Sequence, residues 1–317
     1  MKSILITGGS GFLGIHLANK FKGKFKVLLT GRNNKQNFFA KNKTGCEVLP
    51  LDVSNIESVR DVINKTKPNI IIHAAATKFV DLSEKFPLEC VDINVVGSTN
   101  IARVAIDKKI ESVIGISTDK ASPPIRNIYG MSKSLMEKIF INLGNSHKTK
   151  FACVRYGNVA WSTGSVLPVW SEMFKRNKTI YTTGPYMRRF FFTVKEAVEL
   201  VAICLDKINY LSGKILSREM KAAQMIDILK VWIKIYGGKF VISKERPGER
   251  IDEFLIGETE LPYTEKKKIR DLDHYIIDFK KKAKKPLEEI ISSKNCKKLN
   301  FLEIKKILEL KNVYEGY

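Results

Sequence analysis

Cysteine is scarce and unpatterned in this chain: Cys46, Cys90, Cys153, Cys204 and Cys296 are odd in number, scattered, and free of any Cys-x-x-Cys pair. That spacing argues against a disulfide framework and a zinc site, so no metal is expected. Long apolar runs are missing too. None approaches the roughly 20 residues that cross a bilayer, and the short apolar run within residues 1–7 leads straight into a glycine turn instead of a signal-peptide cleavage site. No membrane span and a cytoplasmic location are expected. Internal repeats and low-complexity segments are absent, which sets repeat architectures aside.

Acidic residues are outnumbered, 33 against 55 basic ones, for a formal net charge of +22. Such a balance can mark a nucleic-acid binder. Here 43 of the basic residues are lysines spread along the chain, without an aromatic-interleaved stripe, so a solvated lysine surface is expected and nucleic acid is not. The densest clusters, Lys266-Lys267-Lys268 and residues 280–285, fall in the last fifth of the chain.

Across 317 residues, short β-branched runs at 3–7, 26–30, 70–73, 112–116 and 151–155 alternate with amphipathic stretches at 54–65, 91–106 and 131–142. Parallel strands need crossover connections, and helices supply them, so the expected class is α/β: a Rossmann-type doubly wound parallel sheet with a smaller C-terminal substrate-binding domain. The expected division is a dinucleotide-binding domain over 1–160, completed by sheet elements from later segments. A mainly substrate-binding domain over 161–285 and a basic helical tail over 286–317 follow.

The first chemical motif is Thr7-Gly8-Gly9-Ser10-Gly11-Phe12-Leu13-Gly14, between the opening strand and a helical stretch. Gly8, Gly11 and Gly14 allow the sharp turn, the approach of a pyrophosphate to the backbone, and close packing of helix on strand. The second strand ends in Gly31-Arg32-Asn33-Asn34-Lys35, where an NAD site usually places an acid; Arg32 and Lys35 instead suit a 2′-phosphate, and NADP is expected. Asp52, followed by Val53, is placed to accept from an adenine amino group or to cap the helix beginning near Ser54. Ala74-Ala75-Ala76, small residues after the fourth strand, permit cofactor contact, while His73 is expected to be packed at the strand end.

The densest chemistry lies in Ser117-Thr118-Asp119-Lys120, followed by Tyr129-x-x-x-Lys133. Tyr129 and Lys133 share a helix face, so the ammonium is expected to lower the phenol pKa, and the phenolate can take a hydroxyl proton as hydride leaves the same carbon. Thr118 would hydrogen-bond the same oxygen. Asp119 and Lys120 add an acid and an amine base beyond what hydride transfer needs, which points to elimination as well as oxidation.

In these residues the chain resembles the extended short-chain dehydrogenase/reductase superfamily, and within it the nucleotide-sugar 4,6-dehydratases of the inverting UDP-N-acetylglucosamine 4,6-dehydratase type. Further matches are His73-Ala74-Ala75-Ala76-Thr77-Lys78, Arg155-Tyr156-Gly157-Asn158-Val159, Gly164-Ser165-Val166-x-Pro168, Arg189-Phe190 and Arg246-Pro247-Gly248-Glu249. The turn departs from the pattern in reading Gly-Phe-Leu-Gly, and Thr163 stands where an arginine is common.

The resemblance implies a bound NADP, with Asn94 added to its contacts, and a UDP-sugar substrate held by Lys78, Asn158, Ser165, Val166, Arg189, Arg246 and Glu249. It also implies the chemistry. Tyr129, helped by Lys133 and Thr118, deprotonates the C4 hydroxyl as hydride leaves; a neutral Lys120 takes the C5 proton; a protonated Asp119 donates to the departing C6 hydroxyl; hydride returns to C6. A homo-oligomer formed through the 91–106 and 131–142 helices is expected on the same ground. A 4-epimerase or 4-reductase would keep Tyr129 and Lys133 and dispense with Lys120, and a non-enzymatic NADP-binding scaffold would bind without turnover. The particular nucleotide sugar and retention or inversion at C5 stay open.

Overall fold

Strand β1 (Ser3–Thr7) is buried along its whole length, as a strand covered on both faces must be, which explains its unbroken apolar run. The computed structural model describes residues 1–243 and 248–311. β1 pairs in parallel with β2 (Lys26–Gly31) on one side and β4 (Ile70–His73) on the other. β3 (Glu47–Pro50) extends the first side, and β5 (Ser112–Ile116) and β6 (Lys150–Val154) extend the second. The strand Ile215–Arg218 follows β6 in parallel, and Leu272–Ile277 and Thr264–Ile269 add antiparallel to that edge, completing a nine-stranded sheet. Strand order therefore reverses between β1 and β4. That switch point opens a crevice at the carboxyl ends of the strands, where ligands of doubly wound sheets bind.

The expected strands all form. The 91–106 stretch is helical throughout, with a π-helical turn Asp92–Val96 set between Pro87–Val91 and Gly97–Asp107. The helix Ile128–Ser146 starts where the Asn127 side chain accepts from the Gly130 N–H, and it packs Phe140 against Phe151 of β6 with ring centroids 5.4 Å apart.

Arg155, one residue past β6, is 1% exposed and ties that helix to the later chain. Its Nε and Nη2 donate to Glu137 at 2.9 and 2.6 Å, and its Nη1 and Nη2 each donate to Glu260 at 2.8 Å. Nη1 also reaches the Leu255 carbonyl at 3.1 Å. Glu260 in turn accepts from the Ser122 hydroxyl at 3.0 Å.

A second layer carries the strands Lys221–Gln224, Arg188–Phe192 and Asn158–Val159 in one small sheet and Thr179–Thr182 with Lys239–Ile242 in another. The segment after 286, expected as a basic helical tail, is instead docked on the body. Ile291–Ser292 pairs with Phe254–Ile256, and the helix Phe301–Glu309 buries Ile304 and Leu308, one helical turn apart, while Trp161 Nε1 donates to the Ile307 carbonyl at 2.7 Å.

Candidate active site

The crevice holds a cavity of about 1170 Å³ that runs from the glycine turn to the second layer. At its floor, Gly8 has φ +65°, and a Cβ there would lie 2.7 Å from the Ala75 nitrogen, so only glycine lets the turn close on the β4 loop. The helix Phe12–Phe21 starts at Gly11 with no side-chain cap, leaving its first N–H groups aimed at the cavity, an arrangement that suits a pyrophosphate. These features fit a dinucleotide.

Ser10, Gly11, Phe12, Leu13, Gly14, Arg32, Asp52, Val53, Ala74, Ala75 and Ala76 line the cavity as expected. Three other expected cofactor contacts do not. Thr7 is fully buried behind the wall, where its hydroxyl pairs with His73 Nδ1 at 2.8 Å and accepts from the Ala75 N–H at 3.3 Å. Lys35 lies outside the wall because Asn33 caps the next helix, and Asn33 and Gln36 line the cavity instead. Asn94 is fully buried on the π-turn and holds Thr77 by both backbone groups, at 2.9 and 3.0 Å, so it shapes the loop without facing the cavity. The capping role weighed for Asp52 belongs to Asn55, which accepts from Glu57 and Ser58; Asp52 accepts from Ser54. His73 is packed as expected: burial pushes it down to about 3, so it stays neutral between Thr7 and Ser98.

Thr118, Lys120, Tyr129 and Lys133 meet on one wall. Lys120 Nζ lies 3.2 Å from Asp119 Oδ1, 3.4 Å from Asn158 Oδ1 and 3.3 Å from Glu253 Oε1. Burial works against its charge, but Asp119 and Glu253 outweigh burial and hold the ammonium above its ordinary pKa. At rest Lys120 is thus held charged by two carboxylates, Asp119 and, from far along the chain, Glu253.

Asp119 is corrected in part. Burial raises its pKa and Glu253 adds to the effect, which agrees with a protonated acid, but the side chain is fully buried and lies outside the cavity wall. Its Oδ1 accepts from Thr118 at 3.0 Å as well as from Lys120.

The tyrosine also departs from expectation. Burial pushes Tyr129 up to about 12, opposed mainly by Lys120 and Thr118. Lys133, lowered by burial to about 8, points its ammonium at Met136 Sδ, 3.2 Å away. The cation that favours the phenolate here is therefore Lys120.

Lys78, Ser165, Val166 and Glu249 also line the cavity, as do Asn158 and Arg189 beside the Lys120–Glu253 cluster, and Arg246 falls outside the described residues. Ser165 Oγ is buried without a hydrogen-bond partner at the uncapped start of the helix Val166–Asn177, so donor and acceptor capacity is left for a ligand. Sequence reasoning missed Glu253; its only local signal is the Arg250-x-x-Glu253 spacing, realised as a 2.7 Å ion pair.

The profile of the polysaccharide biosynthesis protein family matches residues 4–274. The chain belongs to that family. It carries the short-chain dehydrogenase/reductase fold of that polysaccharide biosynthesis type. Among relatives in the family's range of similarity, the chain is 33% identical to an uncharacterized membrane protein of Methanocaldococcus jannaschii, over 97% of this chain and 95% of that one. It is 32% identical to a UDP-glucose 4-epimerase of Rickettsia bellii over the same shares. The structure of Pen from Bacillus thuringiensis, 25% identical, superposes with a TM-score of 0.89 over 98% of each chain. Among the described residues of this polysaccharide biosynthesis protein, no helix is long and apolar enough to cross a membrane.

Proposed function

We propose that the protein is a nucleotide-sugar-modifying enzyme of polysaccharide biosynthesis, and specifically a 4,6-dehydratase acting on UDP-N-acetylglucosamine with inversion at C5. The observation that carries this reading is the Asp119–Lys120–Glu253 cluster beside Tyr129, an acid–base assembly that oxidation or epimerisation at C4 does not need. A nicotinamide dinucleotide over the glycine turn, bound through the residues lining it, supplies hydride acceptance from sugar C4 and return of that hydride to C6.

Within this reading Tyr129 removes the O4 proton, with Thr118 and Lys120 favouring the phenolate. The resulting ketone acidifies C5. The cluster takes the C5 proton, and Lys120, an ammonium at rest, gives one to the oxygen leaving C6, so water departs. Asp119 works from behind, holding Lys120 in place. Ser165 and Glu249 contact the sugar nucleotide, as does Arg189 from beside the cluster. The 1–160 segment, with its returning strands, then serves the cofactor and 161–285 the sugar nucleotide. The exposed apolar residues Leu88, Val91, Val96, Met131 and Leu135 support a homo-oligomer, and we place the enzyme in the cytoplasm.

Arg32 at the cavity rim supports NADP as the cofactor; its side chain, 62% exposed, has only a 3.8 Å ion pair with Glu89 among the described residues. Arg32→Glu is expected to shift preference toward NAD by roughly 10- to 100-fold, the equivalent of losing one charge-assisted hydrogen bond of about 1.5–3 kcal/mol. Titration of both dinucleotides against wild type and variant checks this, and a wild type that binds NAD as tightly as NADP removes the NADP assignment.

The reading itself is tested by incubating the protein with UDP-N-acetylglucosamine in D₂O, without added reductant, and following mass and NMR spectra. The expected product is lighter by one water, carries deuterium at C5 with inverted configuration, and leaves no net cofactor reduction. A C4 epimer as product would instead favour the 4-epimerase reading, which the similarity to the Rickettsia protein supports.

A further inference from the structure

We infer that Trp161 is a positioning residue for the sugar nucleotide, clamped by the C-terminal helix so that the loop 162–165 keeps the shape in which it meets the substrate. This role rests on the nucleotide-sugar reading, which puts that loop against the substrate, and it gives a binding task to a helix that does not reach the cavity. Ser162, Thr163, Gly164 and Ser165 all line the cavity wall, whereas Trp161, 4% exposed, and the helix Phe301–Glu309 lie behind it.

The backbone at Trp161 is the first sign. Its φ is +62°, a left-handed conformation that glycine takes freely and a bulky residue takes only where its surroundings impose it. Two contacts impose it here. The indole Nε1 donates to the Ile307 carbonyl at 2.7 Å, in the last turn of the C-terminal helix. The indole ring also lies 6.3 Å from that of Trp232, on the helix Met225–Tyr236. From that same helix the Tyr236 hydroxyl donates to the Leu308 carbonyl at 3.3 Å, so Trp161 and Tyr236 grip neighbouring carbonyls of one turn.

The clamp closes through the small sheet as well. Trp161 follows the strand Asn158–Val159, which pairs with Arg188–Phe192, which pairs in turn with Lys221–Gln224. In that last strand the Ala222 N–H donates to the Lys297 carbonyl at 3.0 Å, the Ala222 carbonyl accepts from the Leu299 N–H at 2.8 Å, and Lys221 pairs with Glu303 of the helix at 2.5 Å. The C-terminal segment is thus registered against the sheet from which the loop departs. Release of the indole lets Trp161 leave the left-handed region, and because that rotation lies at the root of the loop, the wall residues after it are redirected together. The glycine turn stands on β1 and the helix Phe12–Phe21 and is left as it is.

The test titrates UDP-N-acetylglucosamine and, separately, NADP into the full chain carrying Tyr129→Phe, so that no turnover intervenes. Trp161→Phe keeps a ring in the core and removes the N–H. It is expected to weaken binding of the sugar nucleotide by about 3- to 10-fold, the worth of one interior hydrogen bond, with NADP affinity changed by less than about 2-fold. Leu308→Asp, which puts a carboxylate at a fully buried contact of the helix, is expected to do at least as much, and the double variant no more than Leu308→Asp alone, because both act through one clamp. With Tyr129 restored, Trp161→Phe should raise KM and leave kcat nearly unchanged, the pattern of lost uniform binding. Unchanged sugar-nucleotide affinity in Trp161→Phe overturns the assignment. So do equal losses for NADP and sugar nucleotide, or additive losses in the double variant, either of which would make Trp161 merely structural. Binding alone decides these outcomes, so a wild type that binds the sugar nucleotide without dehydrating it removes the dehydratase reading and leaves the comparison intact. Absence of binding with Trp161 in place overturns the nucleotide-sugar reading, and the assignment falls with it.

Discussion

Lys120→Met is expected to lower dehydratase turnover by about 10³-fold, inside the 10²–10⁴ range of a positioned acid–base group. C4 oxidation should suffer less, because it loses only a cation that favours the Tyr129 phenolate and not the proton carrier itself. The same change leaves Asp119 and Glu253 facing each other without the ammonium between them, so thermal unfolding should show destabilisation as well. A 4-epimerase has no step for Lys120 to serve beyond its influence on Tyr129. A variant that keeps wild-type turnover therefore removes the elimination mechanism.

The second large effect is on stability. Arg155→Met should destabilise the fold by about 3–5 kcal/mol, the usual cost of stranding a buried charge, because Glu137 and Glu260 lose the guanidinium that serves both. Urea unfolding at neutral pH measures it. The pH dependence has a definite sign. Burial favours the protonated form of Glu260, but Arg155 outweighs it and holds this carboxyl below its ordinary range. Stability from that pair is thus complete at neutral pH, above the unfolded pKa, and fades as acid takes the pH down through the depressed folded value. The gap between wild type and variant should narrow in acid; a gap that widens there would show that the pair is not ionised in the native protein.

Local patterns made much of the fold legible. β1 is an apolar run because both its faces are covered, and the glycine turn is a turn because Gly8 needs positive φ beside Ala75. Thr118, Lys120, Tyr129 and Lys133 come together because one strand end and one helix start carry them all, within seventeen residues' reach of Ile116. Their charge states were not legible. Whether Lys120 rests charged depends on burial set against Asp119 and Glu253, the latter brought in by the fold from far along the chain, and the Tyr129 pKa depends on burial that no spacing reveals. Lys35 and Asn94 lie outside the cavity wall for a local reason: an Asn33 cap and a π-turn each change which side chain faces inward. The docked C-terminal helix had its signal in the spacing of Ile304 and Leu308, masked by the lysines around them.

Glu253 is held by residues that arrive late. Its N–H donates to the Ser293 hydroxyl at 3.0 Å and its carbonyl accepts from the Ser293 N–H at 2.8 Å, next to the short strand Ile291–Ser292. A chain made from its N-terminus completes the glycine turn and the Tyr129 helix well before Ser293 emerges from the ribosome. The crevice at the glycine turn can thus form during synthesis while the carboxylate opposite Lys120 still lacks its backbone clasp.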